Sequence, residues 1–264
     1  MLNSVKQFTL GFIHSVFSIF EVFNLFTNRT VCIKYLKIVI LNIFALSVVN
    51  QILYTFENYL YNYDNMLVKC IYFLILFFHK IIYNIPIYIF CYIISLDKIG
   101  GILNFIKKND NLEIESFENK LYFCLVSSIF YALTNIIYLI PYIGNYLNFI
   151  FLSYSYGYFC LEYSCHYKNI NSIDKISIIE DNPFYFIGFG LIYGILVHIF
   201  SYINFFVIFV ITFPLSVMKL IKMNIFNTKM KKVKSKIFIF PIIILNIILS
   251  IIDSFIISNY SIKI

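Results

Sequence analysis

The sequence predicts an all-α, multi-pass membrane protein: about six transmembrane or hemi-penetrating helices, including two helical hairpins, preceded by an N-terminal amphipathic helix. Three observations predict it. The 264 residues are 61% hydrophobic and 12% charged, with a mean hydropathy of +0.85, whereas soluble domains carry about 25% charged residues. No soluble fold of this length has an interior large enough for that apolar excess, so lipid must solvate it. The apolar residues also fall in runs suited to the ~30 Å hydrocarbon core, which takes about 20 residues at 1.5 Å each. Finally, the cations gather in segments that one topology places on a single side.

From Val5 to Phe26, Val5, Phe8, Phe12, Val16, Ile19, Phe23 and Phe26 recur at helical spacing, and Gln7, His14, Ser18 and Glu21 gather on the other side. This is an amphipathic helix expected to lie in the membrane interface. It has no small-residue cleavage site and reads as mature protein. Residues 1–30 form this interfacial unit and residues 31–264 a single membrane domain.

A first span runs from about Ile38 to Phe56, introduced by Arg29, Lys34 and Lys37. A second, from about Leu67 to Ser95, contains His79 and Lys80 and is kinked at Pro86. Asp97 to Asn119 is a polar loop. Lys120 to Ile140, the break Pro141-Tyr142-Ile143-Gly144, and Asn145 to Tyr163 form a helical hairpin, because Pro removes a donor and Gly permits a tight reversal. A loop from Cys165 to Asn182 leads to the apolar block Pro183–Leu220. As one helix this block would exceed about 50 Å; folded near Phe200–Asn204, each arm is about 24 Å, which suits a hairpin that penetrates deeply without emerging. After the basic stretch Lys219–Lys236, a last span runs from about Ile237 to Ile257, with Pro241 near its start.

With the N-terminus cytosolic, all of the 20 Lys and Arg residues except Lys69, Lys80 and Lys263 fall in inside segments. The expected topology is therefore N-terminus in the cytosol and C-terminus across the membrane. The net charge of +7 is accounted for by these flanking cations, so nucleic acid is not an expected partner.

The six cysteines lie almost entirely in apolar runs. Cys160, Cys165 and His166 lack the fourth ligand of a structural zinc site, so neither metal nor cofactor is expected. Gly188-Phe189-Gly190 with Gly194 is not a nucleotide loop, since no strand precedes it and no Lys-Ser/Thr follows. These small residues, with Pro141, Gly144 and Pro214, are read as hairpin and helix-packing positions. The intramembrane ionisable residues Lys80, Glu162 and Asp253 are candidate functional groups, Glu162 being expected as a carboxylate bonded to the adjacent hairpin. No nucleophile–base pair occurs at helical spacing, so the chain is not expected to be an enzyme.

The segments Tyr156-Gly157-Tyr158-Phe159-Cys160-Leu161-Glu162-Tyr163, Ile179-Glu180-Asp181-Asn182, Tyr185-Phe186-Ile187-Gly188-Phe189-Gly190 and Phe213-Pro214-Leu215 resemble, in order and spacing, the etoposide-induced protein 2.4 family. The chain departs from the family pattern at Leu161, Asp181 and Pro183. The resemblance implies a non-catalytic multi-pass protein of the endoplasmic reticulum linked to autophagy and membrane homeostasis. It would act through the lipid bilayer and protein partners in the membrane, with a homo-oligomer as an open alternative. The superfamily also holds CysZ-like bacterial sulfate permeases, whose paired hairpins enter the membrane incompletely. Their anion-contacting stretch corresponds here to Thr27-Asn28-Arg29-Thr30, which makes Arg29 the candidate anion contact of an alternative permease function. Such a permease would need a polar path, for which Asn135, Asn145, Asn148, Ser153 and Ser155 are candidates between the hairpin arms.

Overall fold

The structure, a computed structural model, describes residues 2–21, 23, 29–61, 117–167, 170–200, 202–222 and 235–261. Every regular element among them is a helix: α1 (Leu2–Ser18), α2 (Arg29–Tyr61), α3 (Phe117–Ile137), α4 (Gly144–Tyr167), α5 (Ser172–Asp181), α6 (Pro183–Ile199), α7 (Tyr202–Lys222) and α8 (Ile239–Ser261). The second expected span, with Lys80 and Pro86, lies outside the described residues, as does most of the polar loop that follows it. Taken singly, no helix among the described residues is long and apolar enough to cross a membrane; α5 and α6, bent by 86° at Asn182, meet that measure together.

Both expected hairpins are present. The first joins α3 to α4 through a γ-turn, in which the Ile143 amide donates to Pro141 O at 2.7 Å and Tyr142 takes the positive φ of 65° at its centre. Gly144 closes the reversal, donating to Ile140 O at 3.0 Å; a Cβ there would lie 2.6 Å from Ile137 O, which only glycine avoids. The second hairpin reverses at Phe200, whose amide ends α6 on Leu196 O. It brings Tyr193 of α6 against Phe209 of α7, with ring centroids 5.2 Å apart.

Two expectations change. The amphipathic helix is interrupted at Ile19–Phe20, where the chain tightens into the shorter bonds Ile19 N to Val16 O and Phe20 N to Phe17 O; Glu21 and Phe23 are again helical, and the rest toward Phe26 lies outside the described residues. The stretch read as a loop from Cys165 to Asn182 contains α5, whose Lys175, Ile176 and Ile179 face inward and are buried. A ten-residue helix is marginal alone and is held here by that packing.

Helix α6 is the centre of the assembly, lying between α1 and α4. Residues two apart on a helix point about 200° apart, so Gly188 and Gly190 face opposite neighbours. A Cβ on Gly188 would strike Phe8 O of α1, and one on Gly11 would strike Tyr185 O of α6. On the other side, a Cβ on Gly190 would strike Ser153 O and come within 2.7 Å of Gly157 N, while one on Gly157 would strike Phe186 O. Gly194 is filled by the Ser153 side chain. Gly188 and Gly190 thus form a backbone-to-backbone seat on both faces of one helix, while Gly194 makes room for a side chain of α4.

Around this seat, α7 packs on α4, α1 and α2, and α8 packs on α3. Pro214 is buried inside α7. Its missing amide interrupts the helix ladder, and the Tyr35 hydroxyl of α2 donates to the nearby Ile211 O at 2.6 Å. The core beneath the first hairpin is aromatic. Phe238, just ahead of α8 and fully buried, lies 5.1 Å from Phe130 and 5.3 Å from Tyr158 between ring centroids.

Replacing Gly190 by Ala is expected to cost about 1–3 kcal/mol, because backbone lies on the far side and cannot give way. The exposed Ser177→Ala change on α5 should stay within about 0.5 kcal/mol. Denaturant unfolding followed by helical circular dichroism in detergent micelles compares the two; equal midpoints would remove the glycine seat from the account.

A buried ion pair and a polar seam as the candidate functional site

Glu162 lies near the C-terminal end of α4 and Lys175 on the first turns of α5. Lys175 Nζ donates to Glu162 Oε1 at 3.0 Å, and both side chains have 0% exposure. The ammonium also stands 5.7 Å from the centre of the Phe123 ring of α3, a cation–π contact strengthened by the absence of water. Burial of either charge alone would cost several kcal/mol, so each makes the other tolerable. Glu162 was expected to bond to the adjacent hairpin; its partner is instead the short helix between the hairpins. Lys175 escaped notice because it was counted as a loop cation. The signal that would have found it is its place beside Ile176 and Ile179 on one helical face.

The Ile-Glu-Asp-Asn stretch at the end of α5 is a junction. Glu180 O accepts from the Ser235 amide at 3.0 Å and from Ser235 Oγ at 2.9 Å. Glu180 Oε1 accepts from the Phe238 amide at 3.0 Å, so one residue holds the segment that leads into α8. Asn182, at the start of α6, accepts from Gln7 Nε2 of α1 at 3.3 Å and donates to Ile178 O at 3.0 Å. Tyr154 OH of α4 donates weakly to Ile179 O at 3.4 Å.

A second set of polar contacts runs along α1. His14 Nδ1 lies 2.9 Å from Tyr185 OH. Ser18 Oγ and Tyr193 OH share Ser216 Oγ at 3.1 and 2.7 Å, joining α1, α6 and α7. Lys219 Nζ approaches Glu21 Oε1 at 3.9 Å and the Phe17 ring at 5.8 Å. Hence the polar side of α1 (Gln7, Ser15, Ser18, Glu21) is buried, whereas Phe17, Phe20 and Phe23 are 51%, 54% and 66% exposed.

Burial first, and the charge of Lys219 second, push His14 from 6.5 down to about 4. A folded-state value below the unfolded one means that the contribution is complete above pH 6.5 and is lost as pH falls toward 4. The thermal midpoint is therefore expected to drop between pH 7.5 and 5 by more in the natural protein than in His14→Gln, which keeps a hydrogen-bonding group without the titration. Identical drops would exclude His14.

The other sequence-predicted residues do not join this site. Arg29 begins α2 with an exposed side chain. Asp253 lies in α8, with its side chain outside the described residues, and Lys80 is outside them altogether. Pro141 is exposed at the hairpin turn. Of the residues expected to line a polar path, Asn148 donates to Thr134 O at 2.8 Å, and Ser153 and Ser155 bond back to Phe149 O and Phe151 O of their own helix. No group of three or more His, Cys, Asp or Glu side chains among the described residues is arranged to hold a metal ion.

Glu162→Gln and Lys175→Met are each expected to destabilise the protein by about 3–5 kcal/mol, by leaving one charge buried without its counterion. The double change Glu162→Leu with Lys175→Met should recover most of that loss. The double-mutant cycle is read by denaturant unfolding, and additive losses would show that the pair is not coupled.

A model of the protein family described as sulfate transporter CysZ/etoposide-induced protein 2.4 matches residues 18–212. The curated protein EI24 homolog of Arabidopsis thaliana is 34% identical over 71 residues, covering 27% of this chain and 22% of that relative. The chain therefore aligns with less than a quarter of that relative's length. No solved structure matches the chain. Because the family match covers residues 18–212, which is most of the chain and includes Gly157, Gly188, Gly190, the Glu162–Lys175 pair and Glu180, the chain belongs to the sulfate transporter CysZ/etoposide-induced protein 2.4 family.

Proposed function

We propose that the protein is a non-catalytic, multi-pass membrane protein of the endoplasmic reticulum that acts in autophagy and membrane homeostasis through partners in the bilayer. The observation that carries this reading is the inverted distribution of polarity. The polar stripe of α1 is buried, and large apolar side chains face outward on α1, α2 and α8, among them Phe17, Phe44, Phe240 and Ile247. Such a surface is costly in water and is satisfied by lipid or by apolar faces of other membrane proteins. The absence of catalysis is supported by the use of the buried polar groups. Glu162, Lys175, Ser18, Ser216 and Tyr193 are committed to contacts between helices. The charge distribution supports a cytosolic N-terminus and a lumenal C-terminus.

A small-anion permease is the second reading. It is favoured by Arg29, whose exposed guanidinium stands at the N-terminal end of α2, where the helix dipole adds to its attraction for an anion. Radiolabelled sulfate flux into liposomes separates the two. The organising role predicts no flux above that of empty liposomes from folded, inserted protein. Saturable flux that Arg29→Ala abolishes would replace it by the permease.

A further inference from the structure

The contact between α5 and the approach to α8 has the chemistry of a switch. Ser235 lies in the run Lys231-Lys232-Val233-Lys234-Ser235-Lys236-Ile237-Phe238. Cations on both sides of a hydroxyl, with apolar residues following, suit the acidic substrate groove of a lysine-directed Ser/Thr kinase. Ser235 and Lys236 form a short non-helical stretch ahead of α8, Ser235 partly exposed and Lys236 exposed. Two hydrogen bonds hold Ser235 itself, both to Glu180 O, at 3.0 Å from its amide and 2.9 Å from Oγ. The third bond of the junction, from the Phe238 amide to Glu180 Oε1, seats the Phe238 ring among Phe130, Tyr154 and Tyr158.

We propose that Ser235 is a phosphorylation site, and that its phosphate detaches the start of α8 from Glu180. In the transfer, Ser235 Oγ attacks the γ-phosphorus of ATP. The new Oγ–P bond replaces the bond to the β,γ-bridging oxygen, ADP leaves, and the hydroxyl proton passes to the base of the kinase. A kinase takes the segment in an extended form, so it acts on the opened state. The phosphate then prevents reclosure, which is a shift of population rather than a push on the closed state. Three effects oppose reclosure. The phosphorylated Oγ has no proton to donate to Glu180 O. A charge of about −2 would face that carbonyl oxygen and the Glu180 carboxylate, with Asp181 next in the chain. Lys236, whose charge stands near the Glu180 carboxylate in the closed junction, is drawn to the phosphate instead, so the carboxylate loses its counter-charge. With Glu180 released, Phe238 loses the bond that orients it, and the ring cluster opens where α8 meets α3. The inference adds regulation to the proposed membrane role and rests on it solely for the cytosolic setting of the basic stretch.

The test uses the full chain in detergent micelles with magnesium ATP and the catalytic domain of protein kinase C, read by phosphopeptide mass spectrometry and by hydrogen exchange. Phosphate is expected at Ser235, with exchange at the Phe238 amide faster by about ten-fold or more and with α4 peptides unchanged. Ser235→Ala should take no phosphate there and keep Phe238 protected, and phosphatase treatment of the modified protein should restore protection. Absence of phosphate at Ser235, or phosphate that leaves Phe238 protection as it was, overturns the proposal. Neither outcome depends on whether the protein carries sulfate.

Discussion

The seat of α6 between α1 and α4 is made by backbone against backbone, and the remaining contacts take their register from it. In lipid, burial of apolar side chains gives no advantage over exposure to acyl chains, so close packing and polar contacts must drive helix association. Glycine serves this by removing the Cβ that would separate two helix axes. Gly11 and Gly188 bring α1 to within reach of the carbonyls of α6, and Gly157 and Gly190 do the same for α4. Once the axes are that close, short side chains suffice to bond across them. Gln7 reaches Asn182, His14 reaches Tyr185, and Ser18 reaches Ser216. The polarity of α1 follows directly: the stripe able to approach α6 is its glycine, serine and glutamine side, and its phenylalanines are left outside.

The same logic gives α5 its role. A helix of ten residues crossing the bundle at a sharp angle contributes little apolar area. It is fixed at its two ends, by the Lys175–Glu162 pair near the start and by Glu180, with its grip on Ser235 and Phe238, near the finish. The Lys175–Glu162 bond is between groups withdrawn from water, where an alternative partner is scarce and the interaction is correspondingly directional; the bonds of Glu180 are partly buried. Thus α5 couples α4 to α8 although α4 and α8 are remote in sequence.

The local features were legible in the sequence. Pro141 and Gly144 marked the first reversal, the length of the Pro183–Leu220 block required the second, and the glycine positions were recognisable as packing sites. Long-range choices were not legible. Periodicity defined two sides of α1 without saying which one turns inward, because its partners lie more than 170 residues away. A soluble-protein rule would have placed the phenylalanines inside. Lys175 was hidden by the same cause, since a lysine in a polar stretch has no local mark of burial. Glu180 carries no local mark of its role, and only the approach of Ser235 and Phe238 gives it a structural task.

These contacts also constrain any function that needs a passage. The space between the arms of the first hairpin is closed by Asn148 on Thr134 O and by the rings of Phe130, Tyr154 and Tyr158. Phe238 completes that closure from outside the hairpin. Opening a polar route there would mean withdrawing Phe238, and therefore breaking its bond to Glu180, before any helix of the hairpin had to move. The glycine seat is the opposite case, since α6 cannot leave α1 or α4 without exposing backbone along its length. The tightest part of the molecule is therefore α1–α6–α4, whereas the start of α8 is tied to α5 through the bonds of Ser235 and Phe238 to Glu180.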